Sequence, residues 1–366
     1  MLKTFDEVFD DYTKYGTKIK TEQYHTIGTN IIIDQGQADI AGYTDQIDGL
    51  FKDVPVIVFG DHTRIIKYIN RPFFLGADGT KILKSKIPDA NYKYLYYALK
   101  NAKIPNTGYN RHFKWLKQIS ISYPEHEKQS MIVEILDKLE DSIDNYNTIL
   151  GLLDKLVKAR FIEMFGDPEN NPNGWMESPL SEKLSVLGGF AFKSDKFSEI
   201  SGIPILRIGN INSGHFKPVN MVYWKEDENL ERYLIYPGDL VMSLTGTVGK
   251  DDYGNVCILG DDFEKYYLNQ RNAKLEIQGG INKFYLSQLL KFTQVKKKLT
   301  GISRGVRQAN ISNKDILNLV VPIPPIELQQ QFEDFVHQVD KSREAVKKSL
   351  EKTQQLYDSL MQEYFG

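Results

Sequence analysis

The sequence predicts an α+β fold in which two mixed α/β domains are separated by two long helices. Three observations support this prediction. The chain has 366 residues, which is more than one hydrophobic core usually serves. It aligns on itself when it is shifted by 200 residues, and both copies of the repeat close with an apolar pattern typical of a long helix. We therefore expect the two helices to pair within the chain as an antiparallel coiled coil, related by a pseudo-two-fold axis.

The internal repeat is clearest over residues 124–166, which align without a gap on residues 324–366. Apolar residues in both copies recur mostly at steps of three and four, as a heptad seam requires, although Arg343 and Thr353 interrupt the second seam. A proline before the first turn and a glycine at the last position mark the ends of both helices. About forty residues of helix span roughly 60 Å, more than a small domain needs for its own core. The seam residues are Ile132, Leu136, Leu139, Ile143, Tyr146, Leu150, Leu153, Val157 and Met164 in the first copy, and Phe332, Val336, Val339, Val346, Leu350, Tyr357, Leu360 and Tyr364 in the second.

The repeat divides the chain into four segments. Residues 1–123 and 167–323 are predicted to be the two globular domains, and residues 124–166 and 324–366 the central and C-terminal spacer helices. Both globular segments contain short β-branched and aromatic runs between Gly, Asn and Asp turns, which is typical of strands. The predicted strands lie at 25–34, 54–59 and 64–70 in the first domain and at 203–211, 239–244 and 255–259 in the second, with helical segments at 92–101 and 283–299.

The net charge of −2 conceals an uneven distribution. The spacer segments are acidic, with nine acidic against five basic residues in 125–166 and eight against five in 325–366. The rest of the chain therefore has a net charge of +5, a modest basic excess compatible with a nucleic-acid partner. The first residues lack the basic and apolar regions of a secretion signal, and no segment approaches eighteen uncharged apolar residues, so we expect a cytoplasmic protein.

The sequence lacks several patterns that mark catalytic sites. Residues 246–250 resemble a phosphate-binding loop, but their glycine spacing is too short and Asp251 occupies the Ser/Thr position. No Asn/Asp-Pro-Pro-aromatic tetrapeptide of an amino-methyltransferase is present, and no dinucleotide-binding glycine pattern opens a helix after a strand. The six histidines are dispersed and Cys257 is the single cysteine, so no metal site is expected. The sequence therefore predicts a chain without catalytic residues, cofactor or metal.

Four motifs of the second half resemble the specificity subunit of Type I restriction-modification systems. They are GDLVMSLTGTVG at 238–249, LNQRNAKL at 268–275, GVRQANIS at 305–312 and the helical PPIELQQQF at 324–332. In the first half, VPVIVFGDHTR at 54–64 and FFLGADGTKIL at 73–83 resemble another common type of recognition domain in this family. The resemblance covers essentially the whole chain. Because the two halves resemble different subtypes, base contacts do not transfer from one half to the other.

The resemblance implies a function and a set of partners. Each globular segment would be a target-recognition domain that inserts loops into the major groove of double-stranded DNA, and the two domains would recognise the two halves of a split, asymmetric target. Two methyltransferase subunits, which use S-adenosylmethionine to methylate adenine, would flank the chain. Restriction subunits that translocate DNA would join them for cleavage. In this family the specificity subunit itself has no catalytic function and no cofactor.

Two other interpretations of the residues stay open at this point. The amphipathic helices are also compatible with a DNA-binding scaffold that homodimerises through a coiled coil and has no connection with DNA modification. An enzyme with an unrecognised site is the third interpretation. A methyltransferase reading frame next to this one, or copurification with two methyltransferase subunits, would favour the specificity subunit, whereas a homodimer that binds DNA alone would favour the scaffold.

Candidate DNA contacts are side chains with the donors that base recognition needs. Arginine pairs with guanine, and asparagine or glutamine with adenine. For each candidate, anchoring of a phosphate or a solvated surface charge is the alternative role. The candidates are Arg64, Lys81, Lys84, Tyr109 (by stacking), Arg111 and His112 in the first domain, and Arg207, Thr245, Arg271, Arg304, Arg307 and Gln308 in the second.

Overall fold

A computed structural model describes residues 1–76, 78–108, 110–212, 214–247, 252–300 and 308–366, with only the backbone of Gln308. The chain divides into two compact units. Unit 1 consists of Met1–Thr148 and Val346–Gly366, and unit 2 of Ile149–Ala345. Each unit thus contains one globular domain and part of both long helices. Of the helices in the described ranges, none combines the length and the apolar character that crossing a membrane requires.

The secondary structure of the first globular domain begins with a short strand and helix. Its strands are β1 (Leu2–Thr4), β2 (Phe9–Asp11), β3 (Asn30–Ile33), β4 (Gly42–Thr44), β5 (Val56–Gly60), β6 (Ile66–Ile69), β7 (Phe73–Leu75), β8 (Thr80–Ser85) and β9 (Ser120–Ser122). Its helices are α1 (Phe5–Val8), α2 (Tyr92–Lys100) and α3 (Phe113–Leu116), and the long helix α4 (His126–Phe165) follows.

Two sheets form the core of the first domain. One is antiparallel with the order β2-β8-β5-β6, and the other has the order β4-β3-β7 with β3 and β7 parallel. Strand β5 is buried on both faces because its side chains alternate between two cores. Val56 and Val58 pack against the second sheet, whereas Ile57 and Phe59 pack against α2 and α4. The antiparallel pair β1–β9 lies next to the start of α4 in the sequence.

The second globular domain contains the remaining strands and three shorter helices. The strands are β10 (Glu177–Pro179), β11 (Leu184–Gly188), β12 (Ile203–Leu206), β13 (Tyr223–Trp224), β14 (Leu234–Ile235), β15 (Leu240–Ser243), β16 (Thr245–Thr247), β17 (Val256–Ile258), β18 (Tyr266–Leu268), β19 (Asn272–Ile277), β20 (Gln308–Asn310) and β21 (Val320–Pro322). The helices are α5 (Lys283–Leu290), α6 (Thr293–Thr300) and α7 (Asn313–Leu317), followed by the long helix α8 (Ile326–Phe365).

The second domain repeats the topology of the first, with one additional strand, β14, at the edge of its mixed sheet. Its antiparallel sheet has the order β11-β19-β15-β17, and its mixed sheet has the order β13-β12-β18-β14 with β12 and β18 parallel. The pair β10–β21 corresponds to β1–β9. Val241 of β15 faces the core between the sheets, and Leu240 and Met242 face the core with the helices. The fold class of two mixed α/β domains with two long helices is therefore confirmed.

The two long helices run antiparallel in each unit. In unit 2, Arg343 Nη2 of α8 lies 2.7 Å from Asp154 Oδ1 of α4. Further along α4, the ring of Phe161 lies 5.5 Å from that of Phe332, which comes earlier in α8 than Arg343. In unit 1, Tyr357 Oη of α8 donates a hydrogen bond of 2.8 Å to Glu140 of α4. The apolar stripes of the two helices are therefore satisfied within one chain, as the repeat predicts.

The predicted seam omits two of the most buried helix residues. Phe161 and Met361 occupy equivalent positions, 200 residues apart, and both are buried although the heptad steps pass over them. Each lies in a core that includes residues of a domain helix, α5 in unit 2 and α2 in unit 1. Because the long helices pack against a domain as well as against each other, their buried face is wider than a coiled-coil seam.

The predicted helix over 283–299 is in fact two helices. The chain turns at Lys291 and Phe292, between α5 and α6. The ring of Phe292 is buried, with its centroid 5.1 Å from that of Phe161. This tertiary contact overrides the helical preference of the segment, which the sequence pattern alone does not reveal.

The junctions between domains and helices use the same hydrogen bonds in both units. Tyr94 Oη of α2 donates to Ser122 O at 2.6 Å, and Tyr285 Oη of α5 donates to Pro322 O at 2.8 Å. The buried amides of Gln129 and Gln329 donate to the carbonyls of the prolines five residues earlier, at 2.8 and 2.7 Å. Each domain is thus attached to the start of its following helix by a tyrosine and a glutamine.

A polar cluster connects the helices to the second domain in unit 2. Asp154 on α4 lies 2.7 Å from Arg343 on α8 and 3.2 Å from the Nε2 of His215 in the domain. Burial raises the pKa of Asp154, but His215 and Arg343 outweigh this effect and hold the pKa at about 2. Arg343, which interrupts the apolar seam, therefore serves as the ionic partner of the opposite helix.

We expect Asp154→Asn to destabilise unit 2 in a pH-dependent way. Because the folded-state pKa of Asp154 lies below its usual value of 3.8, the stabilisation is present above about pH 4 and is lost as pH falls towards 2. The difference in melting temperature between wild type and Asp154→Asn should therefore be present above about pH 4 and shrink as the pH falls from 4 towards 2. Thermal unfolding at a series of pH values measures this difference, and a gap that is constant down to pH 2 would contradict the assignment.

Candidate nucleic-acid interface

Four loops of unit 1 meet beyond the ends of β5 and β8, where Gly60 pairs with Thr80. We call the described residues of 34–36, 60–65, 78–80 and 104–112 loop cluster 1. Gln35 connects its own loop to two others, because its Oε1 accepts a hydrogen bond of 3.1 Å from His62 N and its Nε2 donates one of 3.0 Å to Asp78 O. His62 Nδ1 lies 3.2 Å from Asn110 O and so reaches the fourth loop. Cross-linked loops at the end of a rigid sheet are a suitable platform for recognition.

Arg64 and Arg111 lie in loop cluster 1, and Lys81 lies next to it in β8. Arg111 is exposed, close enough to Asp78 that it adds to the lowering of the Asp78 pKa caused mainly by the hydrogen bond from Lys18. Arg64 has a φ of 63° and its Nη1 donates to Ile104 O at 3.4 Å. Lys81 is half-buried and pairs with Asp11 at 2.9 Å. Arg111 is therefore an exposed side chain of this cluster, while Arg64 and Lys81 have partners within the protein.

The other predicted contacts of unit 1 require correction or lie outside the described residues. The side chain of His112 is 0% exposed, so its ring has no surface to present to DNA. Lys84 lies towards the opposite end of β8, where its Nζ is 2.6 Å from Asp53 and its side chain is only 18% exposed. Neither orientation is visible in the sequence, where both residues are polar side chains next to a loop or turn. Tyr109 lies outside the described residues.

Unit 2 gathers its loops at the corresponding end of its antiparallel sheet, where Ser243 of β15 pairs with Asn272 of β19. We call residues 188–192, 207–212, 244–247, 268–272 and 308–311 loop cluster 2. Leu244 N donates to Arg271 O and Ile311 N donates to Leu244 O, both at 2.8 Å. The two-stranded ribbon of β16 and β20 extends the cluster. The described parts of the motifs at 238–249, 268–275 and 305–312, which are separate in the sequence, thus meet at one site.

Three predicted contacts of unit 2 take different positions within loop cluster 2. Arg271 is exposed at the turn between β18 and β19. Thr245 is half-buried, and its Oγ1 is buried without a hydrogen-bond partner among the residues that the structure describes. Arg207 is half-buried, and its Nη2 donates to Asn220 O. Arg271 is therefore the counterpart of Arg111 as an exposed guanidinium in this cluster.

The last three predicted contacts of unit 2 are Gln308, Arg304 and Arg307. The backbone of Gln308 lies in β20 opposite Thr247. Arg304 and Arg307 fall outside the described ranges.

Sequence reasoning missed the residues that hold these loops in shape. Asn210 is buried, its Nδ2 donates to Lys217 O and Val219 O at 3.0 Å each, and its Oδ1 accepts from Arg207 N at 3.0 Å. Asp61 has a comparable role in unit 1, where its Oδ1 accepts from Phe113 N at 2.6 Å. An Asn or Asp next to a glycine is the available signal, but it predicts a turn without showing which loop the side chain will tie.

The comparison with protein families decides the identity of the chain. Residues 3–154 and 172–355 match the family described as the Type I restriction modification DNA specificity domain. The chain belongs to this family. The two matched segments are the two halves of the internal repeat, so each unit contains one specificity domain. The predicted family is confirmed, and with it the prediction that the chain is a non-catalytic specificity component.

Individual relatives and a solved structure agree with the family. The chain is 27% identical over 320 residues to the Type I restriction enzyme MjaVIII specificity subunit of Methanocaldococcus jannaschii, covering 79% of this chain and 74% of that protein. It is 28% identical over 143 residues to the EcoR124I/EcoR124II specificity subunit of Escherichia coli, covering 36% and 35%. The crystal structure of a Type I restriction-modification system S subunit from M. genitalium aligns over 100% of this chain and 96% of that one, with a TM-score of 0.61 and 18% identity. At this identity the structural match supports the fold alone.

Proposed function

We propose that this specificity-domain protein recognises a bipartite, asymmetric DNA target and positions methyltransferase and restriction subunits on it. The observation that supports the proposal is the combination of a repeated framework with different loop clusters. The order of the antiparallel sheet and the tyrosine and glutamine anchors recur in both units. The residues at the sheet ends do not recur: loop cluster 1 has Asp61 and His112 where loop cluster 2 has a β-ribbon. Two such clusters offer different donors to two different half-sites.

The chemistry of the exposed side chains fits recognition in the major groove. Arg111 and Arg271 each present a guanidinium on a loop that is held by its neighbours, and arginine makes bidentate contacts with guanine O6 and N7. Such contacts discriminate best when the loop is fixed in advance, because flexible donors reach several bases. Lysines and arginines elsewhere on the loops would contact phosphates and set the register on the duplex.

The proposed partners are double-stranded DNA, two methyltransferase subunits and the restriction subunits. The acidic, continuous helices α4 and α8 offer a surface for the protein partners. On α4 in unit 2, Ile149, Leu152 and Leu156 are exposed and follow the spacing of one helix face. S-adenosylmethionine belongs to the methyltransferase subunits in this proposal. A homodimeric scaffold is less favoured, because the opposite faces of the helices are already occupied within each unit.

Exchange of one domain tests the division of the target. Residues 167–323 are replaced by the corresponding segment of another specificity subunit, and the chain is coexpressed with its methyltransferase partner. Sequencing of methylated adenines should reveal a motif in which one half has changed and the other is intact, because the two loop clusters belong to separate domains. The reciprocal exchange of residues 1–123 is the matched control and should change the other half. A single exchange that alters both halves would contradict the proposal.

A further inference from the structure

We propose that His112 is a positioning residue that fixes the recognition loop of unit 1, so that Arg111 meets DNA in one orientation. The inference rests on the proposed function of loop cluster 1. It gives a role to a residue that the sequence suggests as a direct contact but that the fold buries completely.

The imidazole of His112 joins two segments through both ring nitrogens. Its Nδ1 lies 3.0 Å from Asp61 O, and its Nε2 lies 3.3 Å from Thr107 Oγ1 and 3.5 Å from Thr107 N. A carbonyl oxygen only accepts and a backbone N–H only donates, so these partners assign the proton to Nδ1 and the acceptor role to Nε2. The ring therefore holds Thr107 against the β5–β6 loop.

Asp61 connects this arrangement to the sheet. It is buried, and its backbone N donates to Gly79 O at 2.6 Å. Its carbonyl accepts from the backbone N of His112 at 2.8 Å as well as from the ring, and its carboxylate accepts from Phe113 N at 2.6 Å. Asp61 and His112 together thus join three loops. These hydrogen bonds restrict the positions of the loops more than any one of them would alone.

Arg111 is exposed although both of its neighbours are held in place. On one side, the carbonyl of Asn110 accepts from His62 Nδ1 at 3.2 Å, and the Asn110 side chain donates to Thr107 O. On the other side stands the buried ring of His112. The backbone of Arg111 therefore has little freedom, while its guanidinium extends into solvent. A base-recognising side chain on such a turn loses less entropy on binding and discriminates better between bases.

Unit 2 provides an internal comparison because it lacks this histidine. At the position 200 residues later, Ser312 caps α7 through Asp315 N at 3.2 Å. The loop there joins the sheet through Ile311 N and Leu244 O, and through the β16–β20 ribbon. Loss of the hydrogen bonds of the His112 ring should therefore affect only the half-site that unit 1 recognises.

The test is the methylation motif of His112→Ala, made in the full chain and coexpressed with the methyltransferase partner in a host without adenine methylation. In the wild type, a wrong base pair should lower binding by roughly ten- to a hundred-fold. For His112→Ala we expect this discrimination to fall to about three-fold or less in the half-site of unit 1, which the domain exchange identifies. Discrimination in the other half-site should not change. His112→Asn keeps a donor near Nδ1 and should restore part of the discrimination.

Competition with DNA duplexes that carry single changes in either half-site gives the same quantities in vitro. The matched control is His25→Ala, which removes an exposed histidine of the same unit. It should leave the discrimination between base pairs unchanged in both half-sites. Unchanged discrimination in His112→Ala would overturn the inference, and so would an equal loss in both half-sites, which indicates general destabilisation. If His112→Ala does not yield soluble complex, His112→Asn decides by the same two criteria. Wild-type methylation without a bipartite motif would instead refute the proposed function.

Discussion

Phe332→Ala is expected to destabilise unit 2 by about 4 kcal/mol. Phe332 of α8 is fully buried, and its ring makes edge contacts with Phe161 and Phe165 of α4 at centroid distances of 5.5 and 5.6 Å. Tyr285 of α5 stacks on Phe161 at 5.2 Å and so closes the aromatic cluster. Because three elements meet in this cluster, the cavity left by alanine cannot collapse fully, and the loss should be typical of a buried aromatic residue.

Urea unfolding of the full chain measures the effect of Phe332→Ala. The control is Leu152→Ala on α4 of the same unit, whose side chain is 54% exposed and whose loss should cost no more than about 0.5 kcal/mol. A Phe332→Ala value close to that of the control would show that the helices are not packed through this cluster.

Glu140→Ala is expected to destabilise unit 1 by about 2 kcal/mol. Glu140 of α4 accepts hydrogen bonds from Lys100 of α2 at 2.6 Å, from Tyr357 of α8 at 2.8 Å and from Tyr97 of α2 at 2.9 Å. Burial, followed by the carboxylates of Asp137 and Glu140, raises the pKa of Tyr97 far above its usual value, so its hydroxyl stays a donor. Without Glu140, Lys100 and Tyr357 lose a shared acceptor in a partly buried place, while Tyr97 keeps Asp137 Oδ1 at 2.5 Å. The loss costs more than that of a surface ion pair.

Glu140→Gln separates the loss of charge from the loss of the acceptor. Glutamine keeps one acceptor oxygen for the tyrosine hydroxyls, so we expect less than half the destabilisation of Glu140→Ala. Glu134→Ala is the matched control on the same helix, because Glu134 pairs only along the helix, with Lys138, and is largely exposed. Chemical unfolding monitored for unit 1 compares the three variants. Equal, small values for Glu140→Ala and Glu134→Ala would contradict the role of this cluster.

The architecture could be predicted from the sequence because it depends on periodicity. The repeat predicts two helices 200 residues apart, and α4 and α8 begin and end at equivalent positions, from His126 and Ile326 to Phe165 and Phe365. Strand β5 follows from a run of β-branched residues, and β15 from a short apolar run between turn residues. The wider buried face at Phe161 and the break at Phe292 could not be predicted, because both arise from packing between elements that are distant in the sequence.

The candidate site could be predicted only as a set of donors. Donor chemistry identifies Arg111 and His112 alike, but orientation depends on the loops that surround each side chain. Arg111 is exposed, whereas the ring of its neighbour is enclosed by Asp61 and Thr107. Residue type therefore identifies candidate DNA contacts. Only the tertiary contacts distinguish a side chain that can reach DNA from one that holds the loops in place. Whether the exposed donors contact bases or phosphates stays a prediction.

The division of the long helices between the units has a consequence for their dynamics. In α4, residues 126–148 pack in unit 1 and residues 149–165 in unit 2, and α8 is divided in the reverse order. If one unit opens, each helix loses the packing of about half its length, and most of the stability of a helix in a protein comes from such packing. Amide protons along each helix should therefore exchange with deuterium at two distinct rates, with the change near Thr148 in α4 and near Ala345 in α8. Deuterium uptake would then report the stability of each unit, although each helix is continuous.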